Sequence, residues 1–112
     1  MRFHKYNEWY RVVHISGPTH NLLGLVFRDH ENDQILVEEL GPTQKGVRRL
    51  SADAVRKHDL KGVSNANRRL GTNYRVSKIQ FVVDDTPPLE KYARLAEGIV
   101  ERLAGDAEWK ER

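Results

Sequence analysis

Apolar residues recur along this chain in two rhythms. Over residues 74–83 they alternate with polar ones, Tyr74 and Val76 in one phase and Ile79, Phe81 and Val83 in the other, with the slip at Ser77 and Lys78. Alternation marks a strand with one buried face, and a single extra residue (a β-bulge) would return both sets to the same face. The alternative is a strand that begins only at Ile79. From Leu89 the rhythm changes to three and four: Leu89, Tyr92, Leu95, Ala96, Ile99, Val100 and Leu103 make one stripe of an amphipathic helix. Between the two, Asp85 or Thr86 can cap the helix, a proline fits its first position, and Gly105 stops it. A helix striped in this way needs an apolar surface, and the nearest is a sheet containing 74–83.

The same reading carried to the first half of the chain predicts three more strands. Residues 9–15 place Trp9, Val13 and Ile15 on one side and Tyr10, Val12 and His14 on the other. Residues 22–27 are more apolar and hence central, with Gly24 marking a bulge or a close approach of another backbone. Residues 34–40 form the third, and short connections imply an antiparallel meander. Ser51 is placed to cap a helix, with Leu50 and Val55 as a staple across its entry. Gly62 or Gly71 ends helical structure in this region, and Ser64 can cap a short second helix through Leu70.

The order β-β-β-α-β-α predicts a two-layer α+β fold: a mainly antiparallel, four-stranded sheet with helices on one face. Residues 1–105 form one domain and 106–112 a charged tail, whose Trp109 either docks back on the domain or serves as a contact. A sheet face left bare by the helices would make a homodimer reasonable.

Composition narrows the function classes. With 112 residues, the chain suits one domain with its own core. There is no cysteine, which excludes disulfides, thiolate catalysis and cysteine-ligated zinc, and fits a cytoplasmic setting. No apolar run is long enough to span a membrane, and nothing behind Met1 resembles a signal peptide. The net charge of +3 hides a division. Residues 45–78 hold ten Lys or Arg against Asp53 and Asp59, or +8, whereas the remainder holds nine basic and fourteen acidic residues, or −5. That polarity is the strongest functional signal in the chain.

Arg48, Arg49, Arg56, Lys57, Lys61, Arg68 and Arg69 are the residues expected to meet a partner. With Asn65, Asn67, Thr72 and Asn73 nearby, they suit phosphates, and Tyr74 suits a stacked base unless it belongs to the core. The same charges equally steer an acidic protein, as in an inhibitor or immunity-type module, or simply face solvent along a helix. The leading expectation is a non-catalytic module for an acidic protein partner, followed by a nucleic-acid-binding protein.

Catalytic patterns are sparse. Of the five histidines, His14 and His20 flank one loop and are the only pair placed to act together, one as base and one as acid in a small metal-free ribonuclease. Asp29, Glu31 and Asp33 imitate the start of a calcium loop, but Gln34 stands where glycine is required and Leu40 where glutamate is. Asp84 and Asp85 are better used as caps than as metal ligands. Residues 41–46 lack the Gly-Lys-Ser/Thr ending of a phosphate loop, and no serine lies in a nucleophile elbow. No cofactor or metal is expected.

Overall fold

The structure, a computed structural model, describes residues 1–16, 19–28, 34–41, 49–85 and 88–111. Its strands are β1 (Arg2–Tyr6), β2 (Trp9–Ser16), β3 (Thr19–Arg28), β4 (Leu36–Leu40) and β5 (Arg75–Val82), with helices α1 (Ala52–Leu70) and α2 (Glu90–Ala104) and a two-residue strand β6 (Lys110–Glu111). The fold is α+β. The sheet runs β4-β5-β3-β2-β1, with β6 added outside β1.

This is a mixed sheet, not the four-stranded antiparallel one expected. The hairpin of β2 and β3 forms as read, with Val12 opposite Leu23. The third predicted strand, however, does not continue the meander: β5 inserts beside β3, and β4 lies parallel to β5 on its far side. Helix α1 connects β4 to β5, and a crossover of that length is what a parallel pair requires. A further strand precedes the predicted first one. β1 pairs antiparallel with β2 after a turn in which Asn7 takes the left-handed conformation (φ 53°), tolerable for asparagine.

The slip in alternation is a bulge. Val26 opposes Lys78 and Phe27 opposes Val76, leaving Ser77 as the extra residue. Val76, Ile79, Phe81 and Val83 therefore all reach one core, where they meet Val12, Leu23 and Leu25 from the sheet. Both helices close that core from the same face, α1 through Val55, Val63 and Ala66 and α2 through Tyr92, Leu95, Ala96, Ile99 and Val100.

α1 is one helix, uninterrupted at Gly62 and not restarted at Ser64. Ser51 accepts the Ala54 amide at its start, and Gly71 in the left-handed conformation (φ 70°) ends it. Gly62 instead serves a close contact: a Cβ built there would lie 2.1 Å from the Ala93 carbonyl oxygen of α2. On the opposite face of the sheet, Gly24 admits side chains rather than a backbone, since a Cβ would meet the Trp9 ring and the Gln80 side chain at 3.1 Å.

Of the residues read as a tail, Trp109 packs edge-on against Phe3 (5.8 Å) and Tyr10 (4.9 Å), and Lys110 pairs with His4. Among the described residues, no helix is long and apolar enough to cross a membrane.

Candidate polyanion-binding site

Helix periodicity sorts the predicted cations. Lys57, Lys61 and Arg68 fall at intervals of four and seven, hence on one side of α1, and all three are exposed. Eleven residues of helix separate the first from the last, about 16 Å of ridge. Arg56 lies off that line and is half-buried, and Arg49, also exposed, precedes the helix. Arg69 turns to α2 and binds Glu101. Arg48 lies outside the described residues, as do 29–33, 42–47 and Thr86. The structure thus gathers three of the seven predicted residues into a row.

The ridge leads into a second feature. After Gly71 the chain folds back on Asn67, whose backbone carbonyl accepts the amides of Gly71 and Thr72. The Asn67 side chain then grips the next residues. Its Oδ1 accepts the Tyr74 amide (3.0 Å) and the Thr72 hydroxyl (2.9 Å), and its Nδ2 donates to the Tyr74 carbonyl (2.9 Å). Asn67 is therefore committed to structure and does not join a ligand-binding set. Tyr74 is held at the wall of a groove of about 810 Å³, which lies where β1, β2 and β3 meet the start of β5.

Lys5, Glu8, Tyr10, Phe27, Arg28 and Arg75 share that groove with Thr72, Asn73 and Tyr74. Its aromatic wall is continuous: Tyr10 and Phe27 have centroids 6.1 Å apart, Phe27 and Tyr74 5.4 Å. The Lys5 ammonium sits 5.2 Å from the Tyr10 ring centre, within cation–π range. Arg28 donates Nη1 to the Gln34 carbonyl at 3.1 Å, and its buried Nε has no hydrogen-bond partner among the described residues. Among the described lining residues the carboxylate is Glu8, bound by Lys78 at 2.9 Å, against the cations Lys5, Arg28 and Arg75. Tyr74 is half-buried: it packs against the core, and it also lines the groove.

Lys5, Tyr10, Phe27 and Arg28 had no signal in sequence as site residues. Tyr10 and Phe27 read as ordinary strand positions, and only the β2–β3 register and the bulge bring their rings to Tyr74.

A polar cluster of different character lies buried between the helices and the sheet. Asp85, expected to cap α2, instead ties β3 to α2: its Oδ2 accepts the Leu22 amide (2.7 Å) and the Tyr92 hydroxyl (3.1 Å). The helix starts at an N-cap, Leu89, that supplies no side-chain bond. Burial raises the Asp85 carboxyl, an effect offset in part by those two bonds and by His20. Burial also pushes the Tyr92 hydroxyl well above its usual range, assisted by the nearby Asp85 charge, while Asn21 donates to it.

Asp59, on the inner face of α1, is fully buried, and neither carboxylate oxygen has a partner among the described residues. Desolvation holds its carboxyl well above the ordinary value.

The two candidate histidines do not converge. His14 pairs with Asn21 and His20 with Ile15, and adjacent positions on a strand point to opposite faces. Among the described residues, no three metal-ligating side chains gather. Comparison with protein-family models, curated proteins and solved structures gives no match to this chain.

Proposed function

We propose that the protein is a non-catalytic nucleic-acid-binding module, with the outer face of α1 set against a phosphate backbone. One observation carries this: the exposed row of Lys57, Lys61 and Arg68 runs toward a groove that combines cations with aromatic rings. Lysine and arginine in a row supply the sequence-independent share of nucleic-acid affinity, and aromatic side chains supply stacking. A cytoplasmic setting, in keeping with a chain free of cysteine, belongs to the same proposal.

A second reading, an acidic protein partner of an inhibitor or immunity-type module, rests on the same exposed row of Lys57, Lys61 and Arg68, whose charge would steer association with an acidic surface. A sheet face opposite the helices also keeps a homodimer within the proposal.

Salt dependence tests the leading reading. About three phosphate contacts predict an affinity that falls roughly 20- to 40-fold between about 50 and 200 mM salt. Changing Lys57, Lys61 and Arg68 to Ala should weaken binding to mixed-sequence RNA or DNA and flatten that dependence. Unchanged affinity in the triple variant would remove the ridge from the interface.

A further inference from the structure

We propose that the groove between Tyr10, Phe27 and Tyr74 is a subsite for an unpaired nucleotide, so that the protein selects single-stranded over duplex nucleic acid. This deepens, and presupposes, the nucleic-acid ligand proposed above. Three features of the groove converge on that occupant.

Its size comes first. A cleft of about 810 Å³ lies in the range of small-ligand sites, which admit a base with its sugar but no double helix. Its wall comes second. Tyr10, Phe27 and Tyr74 are each half-buried, so part of every ring remains open, and all three line the groove. A planar base gains from such a wall whatever its identity, whereas an acidic peptide has no π-face to offer. Charge comes third. Lys5, Arg28 and Arg75 line the same groove, while Glu8 is engaged by Lys78. Guanidinium groups of this kind suit a phosphate, which they bind by charge-assisted hydrogen bonds.

The wall is also pre-set. The three Asn67 side-chain bonds fix residues 72–74 before any ligand arrives, so little ordering is left for binding to accomplish. Continuity with the α1 ridge gives the strand a path: Arg68 stands one turn from the Gly71 cap, and Thr72 and Asn73 follow at the groove rim.

The test compares a labelled hexauridylate, uridine monophosphate and a 20-base-pair duplex at two salt concentrations, with amide shifts mapped by NMR. Tyr74→Leu keeps the apolar packing but removes the ring. Lys5→Glu reverses one groove charge without touching the core, and serves if Tyr74→Leu folds poorly. We expect hexauridylate to shift the amides of Phe27, Arg28, Asn73, Tyr74 and Arg75. Tyr74→Leu should weaken it roughly 5- to 100-fold at both salts, leaving the duplex little changed. Uridine monophosphate shifting the same amides would assign the subsite to a free nucleotide as well as to a strand.

Hexauridylate binding that moves only α1 amides, or that survives both groove variants, overturns the subsite and leaves the ridge reading standing. If the groove variants weaken binding while the Lys57, Lys61 and Arg68 triple variant does not, the ridge falls and the subsite stands. Absence of binding to all three ligands overturns both.

Discussion

Asn67 and Tyr74 hold each other through both ends of one amide: Nδ2 reaches the Tyr74 carbonyl at 2.9 Å, and Oδ1 receives the Tyr74 amide at 3.0 Å. A side chain on the last turn of α1 thereby substitutes for a strand neighbour just before β5 begins, and sets where the Tyr74 ring can go. Net contributions near 1 kcal/mol per bond make the group of three worth about 2–3 kcal/mol. Asn67→Ala should lose that much in urea denaturation. It should also broaden the NMR signals of residues 72–75 more than those of the core.

Tight helix packing gives a second expectation. Gly62→Ala gains helix propensity of about 1 kcal/mol, yet its methyl group would meet the Ala93 carbonyl oxygen at 2.1 Å. Backbone cannot yield as a flexible side chain does, so the overpacking cost falls at the upper end of about 1–3 kcal/mol and outweighs that gain by roughly 2 kcal/mol. The midpoint of thermal unfolding should fall by on the order of 10 °C, measured by circular dichroism. An unchanged midpoint would mean that the helices separate freely.

Asp59 makes stability depend on pH in a definite direction. Its folded carboxyl is raised by burial, so the unfolded chain gives up this proton at lower pH than the folded one. Between the unfolded value, about 4, and the raised folded value, stability attributable to this group falls as pH increases, by about 1.4 kcal/mol per unit. Asp85, also raised, acts in the same sense. Asp59→Asn should stabilise the protein at pH 7 relative to the parent and leave a shallower pH dependence, carried by Asp85. Denaturant midpoints from pH 5 to pH 8 distinguish this from a loss of stability at every pH.

Trp109 should contribute through its contacts with Phe3 and Tyr10 and through the Arg102 guanidinium, 5.7 Å from its ring. Trp109→Ala at this half-buried site should cost about 2 kcal/mol. Faster hydrogen exchange in β1 than in β3 or β5 would be its signature, since β6 runs beside β1.

Local patterns were legible in the sequence, and long-range ones were not. The α2 stripe, the Ser51 cap and the slip at Ser77 all follow from spacing or residue type within a few positions, and all appear in the structure. β1 escaped notice because its pattern is mostly polar: Arg2, His4 and Lys5 surround Phe3, and His4 is buried despite its polarity. Sheet order escaped for another reason. Nothing within residues 34–40 says whether that strand pairs with the one before it or with one beyond a helix, and the second occurred. The groove inherits this difficulty, since its walls come from strands far apart in sequence. Of the predicted cations, the ridge was legible because three of them share one helical face. The role of Asp85 was not, because a carboxylate before a helix looks like a cap whether it bonds that helix or, as here, the Leu22 amide.

The contact of Gly62 with Ala93 also constrains how this chain can diverge. Surface positions on α1 outside the row of Lys57, Lys61 and Arg68 are free to drift, and core positions can exchange one apolar side chain for another. Position 62 has no such latitude, because every other residue adds an atom where the α2 backbone already stands. In any lineage that keeps this helix pair, glycine at 62 should persist after most of the surrounding sequence has changed, making it the position by which distant relatives are first recognised.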